Sequence, residues 1–240
     1  MGSKQRIDKV LSNMGYGSRK EVKELVKGGQ VEVDGIIVRD PGQLVITDSQ
    51  EITVEGRKLL YREFIYIMMN KPQGVISATE DNREHTVVDL LPEEYKAFEP
   101  FPVGRLDKDT EGLLLLTNDG QLSHRLLSPK KHVPKTYMAK IQGRVTEDDA
   151  EAFSRGVVLE DGYKTMPSQL VVLERGNIST IEVTIYEGKY HQVKRMFQAV
   201  GKEVIYLKRI SMGELKLDES LETGEFRELT KEESGIIGIH

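Results

Sequence analysis

Gly104-Arg105-Leu106-Asp107-Lys108-Asp109-Thr110-Glu111-Gly112, running into Leu113-Leu114-Leu115-Leu116, is the stretch around which the rest of this 240-residue chain organises. Four consecutive leucines cannot all face solvent, and they predict a strand over 112–117 that leads into a core. Arg105 and Asp107, two apart on an extended segment, project to one side. They either touch or face a ligand together at the mouth of something buried. A carboxylate beside a guanidinium stays ionised at neutral pH, and an ionised carboxylate in a cleft is a candidate nucleophile or base. Taken alone, Asp107 reads more readily as a turn or cap residue. Asp109 is read as a turn residue whose side chain need not face the cleft.

Outward from this stretch the hydrophobic pattern predicts strands over 64–69, 73–77, 135–142, 168–174, 178–186 and 203–210. It predicts helices over 120–127, 146–154, 189–200 and 230–237. Strands in runs with occasional helices indicate an α+β fold, a mixed and largely antiparallel sheet flanked by helices, not a repeating βαβ order. The beginning of the chain differs. Ile7, Val10, Leu11 and Met14 mark one face of a helix that Gly15 and Gly17 stop. Ser18 with Glu21 forms a capping box for a second helix, with Val22, Leu25 and Val26 inward and Gly28-Gly29 at its end. Val31–Val38 is a hairpin about Asp34-Gly35, and a further strand pair is expected near Leu44–Thr47 and Glu51–Val54. Gly56-Arg57-Lys58 is read as the start of a linker. Two domains follow, a two-helix and short-sheet module over 1–58 and a larger domain over 59–240.

Composition narrows the chemistry. There is no Cys, which excludes disulfides and thiolate metal sites and fits a reducing, cytoplasmic setting. The five histidines show no ligand spacing, so no metal is expected. No membrane-length apolar run or signal segment is visible, and monomer is the default. The net charge of −5 opposes a nucleic-acid partner, but distribution matters more than the sum. Residues 1–31 carry seven basic groups against three acids, Gly120–Thr146 six against none, and Gly188–Met212 six against Glu203 alone. Acids gather over 214–233. Localised cations on an acidic chain suggest a polyanion groove, with solvated faces the even alternative.

The N-terminal pattern Arg6-Ile7-Asp8-Lys9-Val10-Leu11, Ser18-Arg19-Lys20 and Gly29-Gln30-Val31-Glu32-Val33-Asp34-Gly35 resembles the S-four-type RNA-binding module. Arg6, Lys9, Arg19, Lys20 and Lys23 are its candidates for phosphate contact, which positions a protein without reading sequence. Lys71-Pro72-Gln73-Gly74-Val75, Lys135-Thr136-Tyr137 and Glu187-Gly188-Lys189-Tyr190-His191-Gln192-Val193-Lys194-Arg195-Met196 join Gly104–Gly112. Together, and in order, they are similar to the motifs of the pseudouridine synthases that modify ribosomal RNA and carry such a module. Tyr190–Phe197 looks most like the small-subunit branch, since large-subunit relatives vary at the His and Lys positions.

The resemblance implies isomerisation of a uridine in ribosomal RNA, in free RNA or an assembling particle, with no cofactor and no metal. The glycosidic C–N bond breaks, and the base turns and rejoins the same sugar through carbon five. Asp107 would be the essential carboxylate; attack on the sugar, attack on the base and initial proton acceptance all stay open. The uridine must leave its stack. Arg105 would fill the vacated space or hold a flanking phosphate, Tyr137 would stack on the uracil and help remove the carbon-five proton, and Lys194 would pair with Asp107. The family more often places Arg there. Lys71, Lys135, His191, Gln192 and Arg195 are further candidates for RNA contact, His191 with helix capping as its alternative. Competing readings are the same chemistry on large-subunit RNA and a non-catalytic assembly factor. A glycosidase would want a second carboxylate across the cleft, and none stands out.

Overall fold

The computed structural model describes residues 4–59 and 61–239, and the chain separates into two compact units. One runs to Ile65 and also takes Leu91–Pro100; the other holds Tyr66–Leu90 and everything from Phe101 onward.

In the first unit, β1 (Lys4–Arg6) leads into α1 (Ile7–Asn13), followed by α2 (Arg19–Lys27). The Ser18–Glu21 capping box is formed in both directions. Strands β2 (Val31–Val33) and β3 (Ile36–Val38) make the hairpin, with Asp34 and Gly35 both at positive φ as a tight Asp-Gly turn requires. The expected pairing of the next two strands is corrected. β4 (Leu44–Ile46) pairs with β1, while β5 (Ile52–Val54) pairs with β2. Gly56–Lys58 is no linker either, because β6 (Arg57–Lys58) folds back on β5. Ile7, Val10, Leu11, Val22, Val26, Val31 and Val45 are all fully buried, and each such side chain contributes about 1.5–3 kcal/mol. Leu25 packs against this core from a partly buried position. A short helix, α3 (Glu93–Lys96), also belongs to this unit.

The second unit is built on one sheet whose strands are β7 (Tyr66–Lys71), β8 (Phe101–Pro102), β9 (Glu111–Thr117), β10 (Lys135–Gln142), β11 (Gln169–Glu174), β12 (Ile178–Ile185), β13 (Glu203–Met212), β14 (Leu215–Lys216) and β15 (Phe226–Glu228). The main order is β11-β12-β10-β13-β9-β7-β15, with β14 on β13 and β8 on β9. All pairings are antiparallel except β13 with β9. Helices α4 (Gly120–Leu127), α5 (Glu147–Arg155), α6 (Gln192–Ala199) and α7 (Lys231–Ile236) accompany it. The architecture is the mixed, largely antiparallel α+β arrangement expected.

Leu113 to Leu116 are all fully buried. Leu113 and Leu115 join Met68, Val103, Leu122 and Met212 in one cluster, and alternation along the strand sends Leu114 and Leu116 to the other face. β9 is therefore an interior strand covered on both sides. Gly112 lets it meet β13: its φ is +103, and a Cβ there would lie 2.2 Å from the Arg209 carbonyl oxygen.

Two expected elements change. Residues 73–77 form a loop, not a strand, because their polar groups turn to the Asp107 loop. The helix expected from 189 begins at Gln192, because His191 has a φ of +47, which no right-handed helix accepts.

Candidate functional site

The Asp107 loop is held from beneath by the segment after β7. The Lys71 ammonium, fully buried, donates to the carbonyls of Pro72 (2.9 Å), Asp107 (3.1 Å) and Thr110 (3.0 Å). The Gly74 N–H donates to Lys108 O at 2.8 Å. The Ser77 hydroxyl both donates to Leu106 O and accepts from Leu106 N–H, each at 3.0 Å. Leu106 is buried while Arg105 is exposed and Asp107 half-buried, so the i, i+2 geometry holds. Arg105 and Asp107 do not touch; the Arg105 guanidinium makes no hydrogen bond or ion pair among the described residues.

Helix α6 supplies the cations. Lys194 Nζ lies 3.4 Å from Asp107 Oδ2 and 2.5 Å from Asp109 Oδ1. Asp109 is therefore the nearer partner, which corrects its reading as a bystander of the turn. Burial pushes the Asp109 carboxyl up, but the hydrogen bond and charge of Lys194 outweigh it and hold it below the usual range. His191 Nε2 lies 3.6 Å from Asp107 Oδ1. The His191 ring makes no cap hydrogen bond; it stacks on Tyr190 at 3.8 Å and 17°.

Tyr137, on β10, faces Val183 and Arg209 across its two neighbouring strands. A register shift between Thr136 and Tyr137 re-aims the strand there, as bulges beside functional sites commonly do. Tyr137 is only 8% exposed. Arg209 is buried, its Nε donating to Leu113 O at 2.8 Å and its Nη2 unpaired.

Two of the residues expected to contact RNA, Lys71 and Gln192, are buried. Lys71 faces inward, and burial lowers its pKa to about 8 against the raising charges of Asp107, Asp109 and Glu111. Gln192 is buried: it accepts from Lys189 N–H and donates to Glu187 Oε1. Arg195 is held by Asp161 at 2.5 Å. Lys135 is half-buried and donates to Val133 O, its pKa lowered by burial and then by the charge of Arg209. In the first unit the side chains of Lys9, Arg19, Lys20 and Lys23 are exposed and make no hydrogen bond or close ion pair among the described residues, whereas Arg6 closes on Asp8 with two hydrogen bonds.

The loop clamps at Lys71, Gly74 and Ser77 were not legible beforehand. The signal available was a Lys-Pro strand end followed by Gly and Ser, which any turn shares.

This site sits in a chain that matches the RNA pseudouridylate synthase model over residues 65–199 and an S4 domain over residues 5–47. The chain belongs to the RNA pseudouridylate synthase family. It is 60% identical to the uncharacterized RNA pseudouridine synthase YtzG of Bacillus subtilis, over 97% of this chain and 98% of that one. It is 42% identical to ribosomal small subunit pseudouridine synthase A of Vibrio cholerae, over 97% and 99%. It is 41% identical to ribosomal large subunit pseudouridine synthase B of Bacillus subtilis, over 95% and 93%. The protein is thus a pseudouridine synthase, an isomerase acting on RNA, with an RNA-binding domain at its N-terminus. No helix among the described residues is long and apolar enough to cross a membrane.

Proposed function

We propose that this pseudouridine synthase modifies a uridine of small-subunit ribosomal RNA, with Asp107 as the essential carboxylate. The observation that carries the site is Asp107, on a loop clamped by Lys71 and Ser77, lying beside His191 and Lys194 at the start of α6. A carboxylate with two cationic or protonatable neighbours is oriented before substrate arrives, and such preorganisation is what a reaction without a bound cofactor depends on. The reaction breaks N1–C1′ and forms C5–C1′; the carbon-five proton leaves and N1 gains one. Tyr137 forms part of the wall beside the uracil and offers its hydroxyl as a proton relay. Arg105, exposed and unpaired, takes the space the uridine vacates or its flanking phosphate.

Charge disposition supports an RNA face beside this loop. Lys108, Lys194, Arg195 and Lys202 are all paired with acids. Lys130 and Lys131, in the short turn Pro129–Lys131 after α4, are exposed, and their side chains have no ion-pair partner among the described residues. Gly104 meets Leu127 of α4, so this basic segment adjoins the loop that carries Arg105. The residues up to about 58 serve as the RNA grip and those from 59 as the catalytic domain.

Asp107→Asn should abolish isomerisation while leaving RNA affinity nearly intact; turnover close to wild type would sink the assignment. The target is tested by mapping pseudouridine in ribosomal RNA from cells lacking the protein, where one small-subunit site should revert to uridine. A second reading, the same chemistry on large-subunit RNA, has the 41% relative in its favour. The sequence Tyr190–Phe197, which looks like the small-subunit branch, tips the choice.

A further inference from the structure

We propose that Tyr190 is a stacking platform for the nucleobase next to the target uridine, joined through His191 to the Asp107 carboxylate. The inference rests on the reading of Asp107 as the reacting group. Tyr190 is 75% exposed, the highest value among the exposed large apolar and aromatic side chains of the described residues. Water is a poor place for a tyrosine ring, and this one is not loose. Its inner face lies on His191 at 3.8 Å, nearly parallel, and His191 in turn reaches to 3.6 Å from Asp107.

The backbone on either side is fixed. Gln192 N–H donates to Lys189 O at 3.2 Å, Lys189 N–H donates to the Gln192 side chain at 2.9 Å, and Arg195 Nη1 donates to Tyr190 O at 3.5 Å. His191 adopts φ +47, a conformation that favours glycine. That conformation turns the chain so that the two rings stack above the start of α6. A ring fixed in this way costs little conformational entropy on binding.

The chemistry supplies the occupant. Extruding a uridine leaves its neighbour without a stacking partner on one side. Unstacked bases in RNA are taken up on aromatic faces, and such stacking tolerates any base because every base has a π-face. Tyr190 offers its free face two rings from the carboxylate around which the uridine reacts. Arg105 and Tyr190 then serve different gaps, one in the vacated stack and one beside the displaced neighbour.

The chain contains no Trp, so Tyr190→Trp introduces a single indole at the site. Full-length protein with Tyr190→Trp and Asp107→Asn is titrated with small-subunit and large-subunit ribosomal RNA transcribed without modification, and with inorganic polyphosphate as a polyanion lacking bases. Emission should be quenched by RNA and not by polyphosphate. With Asp107 intact, Tyr190→Phe, which keeps the ring, should restore most of the affinity that Tyr190→Ala loses, and a KM for Tyr190→Phe equal to that of Tyr190→Ala overturns the proposal. Tyr190→Ala should raise KM about tenfold or more, the size of one lost base–aromatic stack. An unquenched indole, equal quenching by polyphosphate, or a KM for Tyr190→Ala within twofold of wild type overturns the proposal. Because the quench is read without chemistry, a wrong assignment of Asp107 or of the target subunit shows up separately, as turnover in Asp107→Asn or on the other RNA.

Discussion

At the scale of single residues, the site depends on how two lysines are used. Lys194 reaches Asp107 but lies closer to Asp109, so its charge is shared between two carboxylates. A compact ammonium can bridge in this way, where a planar guanidinium would favour one bidentate partner. Lys71 does the opposite work. It is buried with no carboxylate of the described residues within bonding distance, and its three donors go to backbone carbonyls. Its pKa falls to about 8 in the fold against 10.5 as a free side chain. Between those values the unfolded chain binds more protons than the folded one, so stability should rise with pH across that window; the burial cost is present in full below pH 8. Urea midpoints from pH 7 to 10.5 should show wild type gaining on Lys71→Met as pH rises, and parallel curves would contradict it. Lys71→Met should also leave carbonyls of the Asp107 loop unpaired, each costing about 1–3 kcal/mol, and lower kcat with that loop's order.

At the scale of elements, the strands and helices with strong periodicity are where the pattern put them. β9, β10 and α4 agree to within a residue, because alternation, apolar runs and caps are local signals. The failures are tertiary. The segment 73–77 is apolar enough for a strand, yet its Gly74 and Ser77 bond across to the Asp107 loop. Helix α6 loses its expected first turn to the stack at Tyr190–His191. The parallel contact of β9 with β13 depends on Gly112, where an added methyl would collide with backbone atoms of Arg209. Gly112→Ala should therefore cost about 3 kcal/mol or more, beyond ordinary overpacking, since the backbone must also leave a positive φ. Thermal unfolding measures it; a melting temperature within a degree or two of wild type would show that β9 and β13 can part without consequence.

At the scale of the whole molecule, an acidic protein has to bind a polyanion. The acids over 214–233 are partly neutralised internally: Arg227 bonds both Asp218 and Glu233, and the Ser220 hydrogen bonds, followed by that of Arg227, hold the Asp218 carboxyl down to about 2. Many cations of the catalytic unit are likewise paired. The exposed cations with no side-chain hydrogen bond or close ion pair among the described residues include Lys9, Arg19, Lys20 and Lys23 on the N-terminal helices. Each phosphate contact removed should flatten the slope of log affinity against log salt by roughly 0.7–0.9. Replacing these four by Gln should weaken RNA binding and flatten that slope, while kcat at saturating RNA stays near wild type. An unchanged slope would mean that the first unit does not grip phosphate.

The sequence by itself determined the two-part α+β organisation, the Ser18–Glu21 capping box, the Asp-Gly hairpin and the interior leucine strand. These rest on periodicity and on residues adjacent in the chain. Only the tertiary structure decided that Lys71 is a buried clamp, that Asp109 shares Lys194, and that His191 reaches Asp107 while Tyr190 stays in water. The contacts of Lys71, Asp109 and His191 join segments tens of residues apart, and no local pattern encodes whether a lysine or a histidine will find its partner in solvent, in a carbonyl cage or beside a carboxylate.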